Sequence, residues 1–280
     1  MMEIVYAVFF MIFGLVFGSF FNVVGLRVPK GQSIISPPSH CEGCNRRLTA
    51  LDLVPVFSYL FLRGKCRSCG AKIGFFHPLM ELLTGVLYAF AYLHFGFTLE
   101  LVVAILFISL LIMITVSDIA YMLIPDKVLL PFGILLIISR IFSPLNPWWD
   151  AFVGAVIGFG ILFLIAFVSK GGMGGGDIKL FFVIGLVLGS KLTILALFVS
   201  SIIGLVAGVS QLVWQKKGRK HPVPFVPWIA LGSVVTYFSL WPSLQLRHFP
   251  QVMWPSPETR SPTLKPRTPA PTSTISPPYS

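Results

Sequence analysis

The sequence predicts an all-α polytopic membrane protein of about eight transmembrane helices, with a small zinc-binding loop domain on the cytoplasmic side. Three observations carry this expectation. Hydrophobic residues fill 55% of the 280 positions and charged residues only 11%, with a mean hydropathy of +0.86, whereas a soluble domain is about a quarter charged. Apolar runs near the roughly 20 residues that cross a hydrocarbon core as a helix recur along the chain. All four cysteines fall as two close pairs in one polar segment, which fits metal binding in a reducing compartment better than disulfides. The net charge of +11 would suggest nucleic acid for a soluble protein. Here Lys and Arg cluster between apolar runs as topology signals do, so the bilayer is the expected partner and nucleic acid is not.

The first run, 4–26, has no clear small-residue cleavage site and is too long for a signal-peptide core, so residues 1–26 are read as a retained first span. A polar loop, 27–77, follows. Further spans are expected at 78–97, 99–117, 128–142, 151–168, 178–189, 192–214 and 225–241. The sixth is short, and with the turn at 189–191 it suggests a tight helical hairpin with the seventh, one long tilted helix being the alternative. From 242 to 280 the composition shifts to Pro, Ser and Thr, a segment that cannot bury enough apolar surface to offset its ordering entropy and is expected to be disordered.

Orientation follows from the basic residues. The 27–77 loop carries Arg27, Lys30, Arg46, Arg47, Arg63, Lys65, Arg67 and Lys72, which places it inside. Counting spans onward puts 118–127, 170–177 and the 216–220 basic cluster on the same side, with both termini outside. Arg140, in the outer turn of the fourth span, is a mild exception that would snorkel to the interface.

Two acids then stand out. The stretch KGGMGGGDIKL at 170–180 leads five glycines and a methionine up to Asp177 between strongly apolar segments. An intramembrane carboxylate costs roughly 2.5–3.5 kcal/mol on insertion scales and reads as functional, with a partner elsewhere. In VSDIAYMLIPDKVLLP, Asp118 ends the third span on the same face, so the two can meet. Two carboxylates held close share a proton and can activate water against a peptide carbonyl, the chemistry of aspartic peptidases. The glycines fit this model, because bare backbone can leave helical geometry and admit an extended substrate. Simpler roles exist beside it. Asp126, after Ile-Pro, is best read as a helix N-cap; Asp177 could cap the sixth span, and Asp118 could pair with Lys127 or Lys179. A transporter's proton relay uses similar acids and broken helices, although no internal repeat supports one.

Cys41-x2-Cys44 and Cys66-x2-Cys69 form two knuckles suited to a tetrahedral Zn²⁺ held by four thiolates. Gly43, Gly64 and Gly70 suit the turns around them. A loop of about fifty residues has too small a core to fold readily without a staple, and a site closed by four cysteines is structural rather than catalytic.

Taken together, these residues resemble the bacterial type IV prepilin peptidases, which are leader peptidases and N-methyltransferases. GLVFGSFFNVVGLRVP at 14–29 resembles the family's opening signature. LTALDLVPVFSYLFLRGKCRSCG with both cysteine pairs, HPLMELLTG, Asp118 with Ile124-Pro125-Asp126, and Gly174-x-Gly176-Asp177 continue the pattern, from about residue 10 to 235. The resemblance implies cleavage of the basic leader of type IV prepilins or type II secretion pseudopilins after a glycine, at the cytoplasmic side of the bacterial inner membrane. It also implies methylation of the new N-terminal amine from S-adenosyl-L-methionine. Asp118 and Asp177 map onto the family's two aspartates, which leaves Asp126 as the cap and makes 78–241 the peptidase domain. The cysteine loop, 27–77, carries the methyltransferase determinants, Gly64 among them. Asn22, Arg27 and Glu81 match family motifs without an assignable role. No dinucleotide-type glycine fingerprint is present, so spacing assigns no residues to the methyl donor. A peptidase without methyl transfer is the nearest alternative.

Overall fold

The structure, a computed structural model, describes residues 1–41, 43–169, 174–215 and 224–245. Residues 170–173 of the glycine run, the 216–220 basic cluster and residues 246–280 of the tail lie outside the described residues, while residues 242–245, expected to open a disordered tail, belong to the last helix.

The described chain is helical throughout, with only isolated β-bridges in the cysteine loop. Helix α1 spans Met2–Arg27; the loop contains a 3-10 turn, Ala50–Leu53, and the short α2, Phe57–Phe61. Then come α3 (Phe76–Phe95), α4 (Leu99–Tyr121), α5 (Asp126–Phe142), α6 (Asp150–Val168), α7 (Gly175–Gln215) and α8 (Val226–Gln245). Among the described residues, five helices are long and apolar enough to cross a membrane: α1, α3, α4, α6 and the Gly175–Ser210 part of α7. Helix α5 is shorter, at 17 residues, and contains Pro131.

Helix α4 is the centre of the bundle. Nearly every residue from Val103 to Asp118 is buried, and the helix packs against α1, α3, α5 and α8. Its neighbours expose Leu, Ile and Phe outward, as a lipid-facing ring should. Lipid tails are as apolar as the side chains, so helices are held by close packing rather than by escape from water, and small residues mark the contacts. A Cβ on Gly14 would lie 2.8 Å from the Gly85 Cα of α3, and one on Gly25 would lie 2.8 Å from Met113 O of α4. On the other side of the bundle, α6 and α7 meet backbone to backbone at Gly154 and Gly185.

Helix α7 folds back on itself. Gly189 breaks it with φ 76° and ψ 177°, a left-handed setting that glycine adopts without a Cβ penalty. A Cβ on Gly158 of α6 would sit 2.5 Å from Phe181 O and 3.1 Å from the Thr193 methyl; on one straight helix those two residues would be about 18 Å apart. The hairpin expected from the short sixth span is therefore present, and the single tilted helix is not. Asp150 holds the elbow, its carboxylate accepting the Ser190 N–H at 3.2 Å and the Ser190 hydroxyl at 2.5 Å.

Three expectations need correction. Arg140 does not snorkel. It is 6% exposed and grips Glu100 with two N–H···O bonds of 2.7 and 3.0 Å while donating to Val187 O at 2.6 Å. Ser143 and Tyr237 also donate to Glu100, at 2.9 and 2.5 Å, so α4, α5, α7 and α8 are joined at one end. Helix α4 continues to Tyr121 instead of ending at Ser117, so Asp118 lies in its last turn. Asp126 is not an N-cap: it is the first residue of α5, makes no capping bond, and pairs through both oxygens with Lys179 at 2.9 and 2.8 Å. The Pro125 ring supplies the preset φ that starts the helix, which leaves the Asp126 side chain free to reach α7. Lys179 is thereby taken up by Asp126 and not by Asp118.

Arg140→Met would leave Glu100 buried without its guanidinium, at a cost of about 3–5 kcal/mol, and adding Glu100→Gln should recover part of it. Thermal unfolding in detergent reads both; an unchanged Tm for Arg140→Met would show that the pair contributes no stability. Gly189→Val, forced out of φ 76° and into the Asp150 carboxylate, should cost about 1–3 kcal/mol in the same assay.

Candidate functional site

The acids meet where one helix ends and two begin. Asp118 sits in the last turn of α4, which stops because Met122 turns left-handed at φ 55° and closes on Asp118 O with its N–H at 2.8 Å. Ser117 secures the exit by donating to Leu123 O at 2.6 Å. Asp118 is 6% exposed. The first N–H groups of α8 face its carboxylate, with Val226 N donating to Oδ2 at 3.0 Å. Helix α8 thus begins on a carboxylate, which satisfies one of its orphan donors.

Asp177 lies in the first turn of α7, half-buried, its N–H donating to Gly174 O at 3.1 Å. It is close enough to Asp118 for the two charges to act on each other. The pair expected from topology is therefore brought together across α4 and α7, while Asp126 stays on the exposed flank with Lys179. The glycines earn separate explanations. Gly176 lies against the loop after α4, where a Cβ would come within 2.9 Å of Ile124 Cβ. Among the described residues, Gly174 and Gly175 are exposed and nothing lies within 4 Å of a Cβ on Gly175, so none of those residues covers the backbone beside Asp177 on that side.

The cysteine loop forms a second cluster at the same end of the bundle. Gly25 packs α1 onto α4 at Val116, two residues before Asp118, and Lys30 lies 4.8 Å from the centre of the Tyr121 ring. Each cysteine pair closes a small turn. Cys41 N donates to Arg46 O at 2.9 Å and Cys66 N to Ala71 O at 2.8 Å, beside the β-bridges His40–Arg47 and Lys65–Lys72. All four sulfurs lie within 4.8 Å of one another, and Cys41 Sγ is 3.7 Å from Cys69 Sγ. Tetrahedral zinc with Zn–S near 2.3 Å places sulfurs about 3.8 Å apart, so the donor set fits such an ion. The N–H groups of Cys69 and Ser68 face the Cys66 sulfur and draw its thiol down to about 6, towards the thiolate that metals bind. Asp52 braces the two turns, 2.8 Å from Arg46 and 3.4 Å from Arg67, and Arg46 also bonds Ser68.

Gly64 has φ 66°, and a Cβ there would strike the Tyr59 ring at 2.9 Å. It is a turn glycine as read from sequence, with the added function of seating an aromatic ring. Asn22 and Glu81, which lacked a role, each make a tie: Asn22 Nδ2 of α1 donates to His77 O in the first turn of α3 at 3.1 Å, and Glu81 of α3 accepts the Val56 N–H of the loop at 2.8 Å. Arg27 holds the loop's first turn by donating to Ser33 O at 3.2 Å. Sequence reasoning missed Tyr59 and the bracing role of Asp52. The Asp52 capping box, Thr49-x-x-Asp52, was the available signal; for the α8 N–H groups on Asp118 there was none, because they are backbone.

Residues 12–95 match the bacterial peptidase A24 N-terminal domain and residues 105–209 the type IV leader peptidase family. A Bacillus subtilis prepilin leader peptidase/N-methyltransferase is 47% identical over 226 residues, covering 81% of this chain and 91% of the relative. Proteins of the same name from Myxococcus xanthus and Neisseria gonorrhoeae are each 35% identical, covering 78% and 74% of this chain and 66% and 82% of the relatives. No solved structure matches the chain. With relatives so similar over most of both chains, and an acid pair and a cysteine cluster at one end of a helical bundle, the chain belongs to the prepilin leader peptidase/N-methyltransferase family.

Proposed function

We propose that this protein cleaves the basic leader of type IV prepilins or type II secretion pseudopilins after glycine and then methylates the new N-terminal amine. The observation that carries the reading is the meeting of Asp118 and Asp177 beside uncovered glycine backbone. The positive-inside pattern of the 27–77 loop supports a cytoplasmic position for both clusters in the bacterial inner membrane, with eight spans once the two arms of α7 are counted separately.

The basic leader stays at the cytoplasmic surface while the pilin's apolar N-terminal helix lies among the spans. The scissile carbonyl then rests between the two acids. One acid, ionised, takes a proton from water; the other, protonated, polarises the carbonyl and later protonates the leaving amine. The α8 N–H groups hold Asp118 in a single orientation for this work, and the glycines before Asp177 let the substrate backbone approach.

Residues 27–77 serve methyl transfer and 78–241 peptide cleavage. Cys41, Cys44, Cys66 and Cys69 would hold a structural Zn²⁺, which staples the loop and leaves no coordination position open for chemistry. S-adenosylmethionine, when bound, would supply an electrophilic methyl group to the pilin amine and leave as S-adenosylhomocysteine, the amine's proton going to water. Gly64 supports this second reaction through the ring it seats.

Asp118→Asn and Asp177→Asn should each lower leader cleavage by about 10²–10⁴-fold or more, measured with purified protein and a synthetic prepilin, while bound zinc stays at one ion per chain. A variant that still processes prepilin would remove that acid from the mechanism. Structural zinc contributes on the order of 10 kcal/mol to loops of this kind, so Cys66→Ser should release the metal and abolish methylation with some cleavage surviving. Loss of both activities at normal membrane levels would instead mean that the loop builds the peptidase site.

A further inference from the structure

The 27–77 loop is basic, with eight Lys and Arg residues against two acids, yet one stretch of it is apolar and faces outward. Leu51, Leu53, Val54, Phe57, Leu60 and Phe61 are all exposed, Phe61 at 85% and Leu51 at 67%, and α2 has no buried residue. Single exposed apolar groups are ordinary, whereas six among eleven consecutive residues, with the 3-10 turn packed beside α2, mark an interaction surface. The depth of the stretch says with what. Val56, just before α2, donates its N–H to Glu81 of α3, and a Cβ on Gly18 of α1 would lie 2.9 Å from the Glu81 Cα. Glu81 is the sixth residue of α3, and Gly18 stands nine residues before the end of α1, roughly 7 Å and 13 Å along the two axes. The stretch therefore folds back beside two spanning helices, at the level where α3 exposes Leu79, Leu82 and Leu83. Its backbone is provided for as lipid requires: Phe57 N donates to Pro55 O at 2.6 Å, Ser58 N to Val54 O at 3.0 Å and Leu60 N to Val56 O at 3.1 Å. Arg63 and Lys65 follow at once, both exposed and in no ion pair among the described residues.

We propose that residues 51–61 are an interfacial anchor, with α2 lying in the headgroup and upper acyl region of the leaflet that α1 leaves and α3 enters, and with Arg63 and Lys65 on its anionic headgroups. An apolar face beside a basic flank is the pattern of a segment that lies in a bilayer surface instead of crossing it. The flank also selects the occupant. Each Lys or Arg near an anionic surface strengthens attachment about fivefold, whereas the basic leader of a prepilin is repelled. Glu81 holds Val56 on one side, and lipid holds Phe57, Leu60 and Phe61 on the other. The loop that carries the cysteine turns is thereby fixed in height and orientation at the bilayer surface, a placement independent of either reaction proposed above.

The full-length protein, reconstituted in nanodiscs of phosphatidylethanolamine and phosphatidylglycerol with Phe61 replaced by the photoreactive p-benzoylphenylalanine, tests the anchor. Irradiation should join the chain chiefly to phospholipid. Absence of a lipid adduct, or a crosslink chiefly to a second copy of the chain or to a co-reconstituted prepilin, would overturn it. Phe61→Trp gives a second reading: the emission it adds should be quenched by brominated acyl chains and spared by aqueous acrylamide, and the reverse would show that α2 stands in water. Arg63→Gln combined with Lys65→Gln should lower the ratio of phosphatidylglycerol to phosphatidylethanolamine among the lipid crosslinks about fivefold or more. An unchanged ratio would refute the headgroup contact.

Discussion

Backbone-to-backbone contact at glycines is the constraint on which this structure depends. Among lipid tails no hydrophobic force drives helices together, so they associate only as closely as their side chains allow. Gly14 and Gly85 join α1 to α3, Gly25 seats α1 on α4, and Gly154 and Gly185 join α6 to the first arm of α7. These contacts determine which helix ends become neighbours. Through Gly25 the cysteine loop and the last turn of α4 come to the same end of the bundle. The break at Gly189 returns α7 along α6, and Asp177 begins α7 beside the end of α4.

Among the described residues the buried charged side chains are sorted to the two ends of the bundle, while its middle holds only neutral polar groups such as the Tyr88–Ser109 pair, and the ends are built on opposite principles. Around Arg140 the charges are matched: a bidentate ion pair, two hydroxyls and a carbonyl close the network. A buried cluster of this kind is expensive to disturb and holds four helices in one arrangement. At the other end two carboxyl groups, Asp118 and Asp177, come close enough to influence each other, with no counter-charge joining them among the ion pairs of the described residues.

The cysteine loop joins the bundle at its functional end and has little core of its own. It is held by the Arg46–Asp52–Arg67 brace and by two ties to the membrane helices through Glu81 and Arg27, with the four sulfurs gathered between its turns. Loop and bundle therefore form one surface, which suits two reactions performed in succession on a single chain end.

Much of this was legible in the sequence. Apolar run length marks helices, because a bilayer demands about 20 residues of satisfied backbone, and the runs agree with the helices to within a few residues. Cysteine spacing is local, so the two turns were readable, and the glycine run with Asp177 was conspicuous because a carboxylate there needs a reason. Counting spans placed Asp118 at the same face. What the sequence could not determine is which side chains meet across helices. Arg140 looks like an interfacial cation until α4 and α8 bring Glu100 and Tyr237 to it, and Asp126 looks like a cap until α7 presents Lys179. The α8 backbone on Asp118 and the Asn22–His77 contact between α1 and α3 likewise exist only once α1, α3, α4 and α8 are packed. Length, hydropathy and ligand spacing are properties of contiguous chain; partnership between distant residues depends on how closely helices approach, and only the tertiary structure decides that.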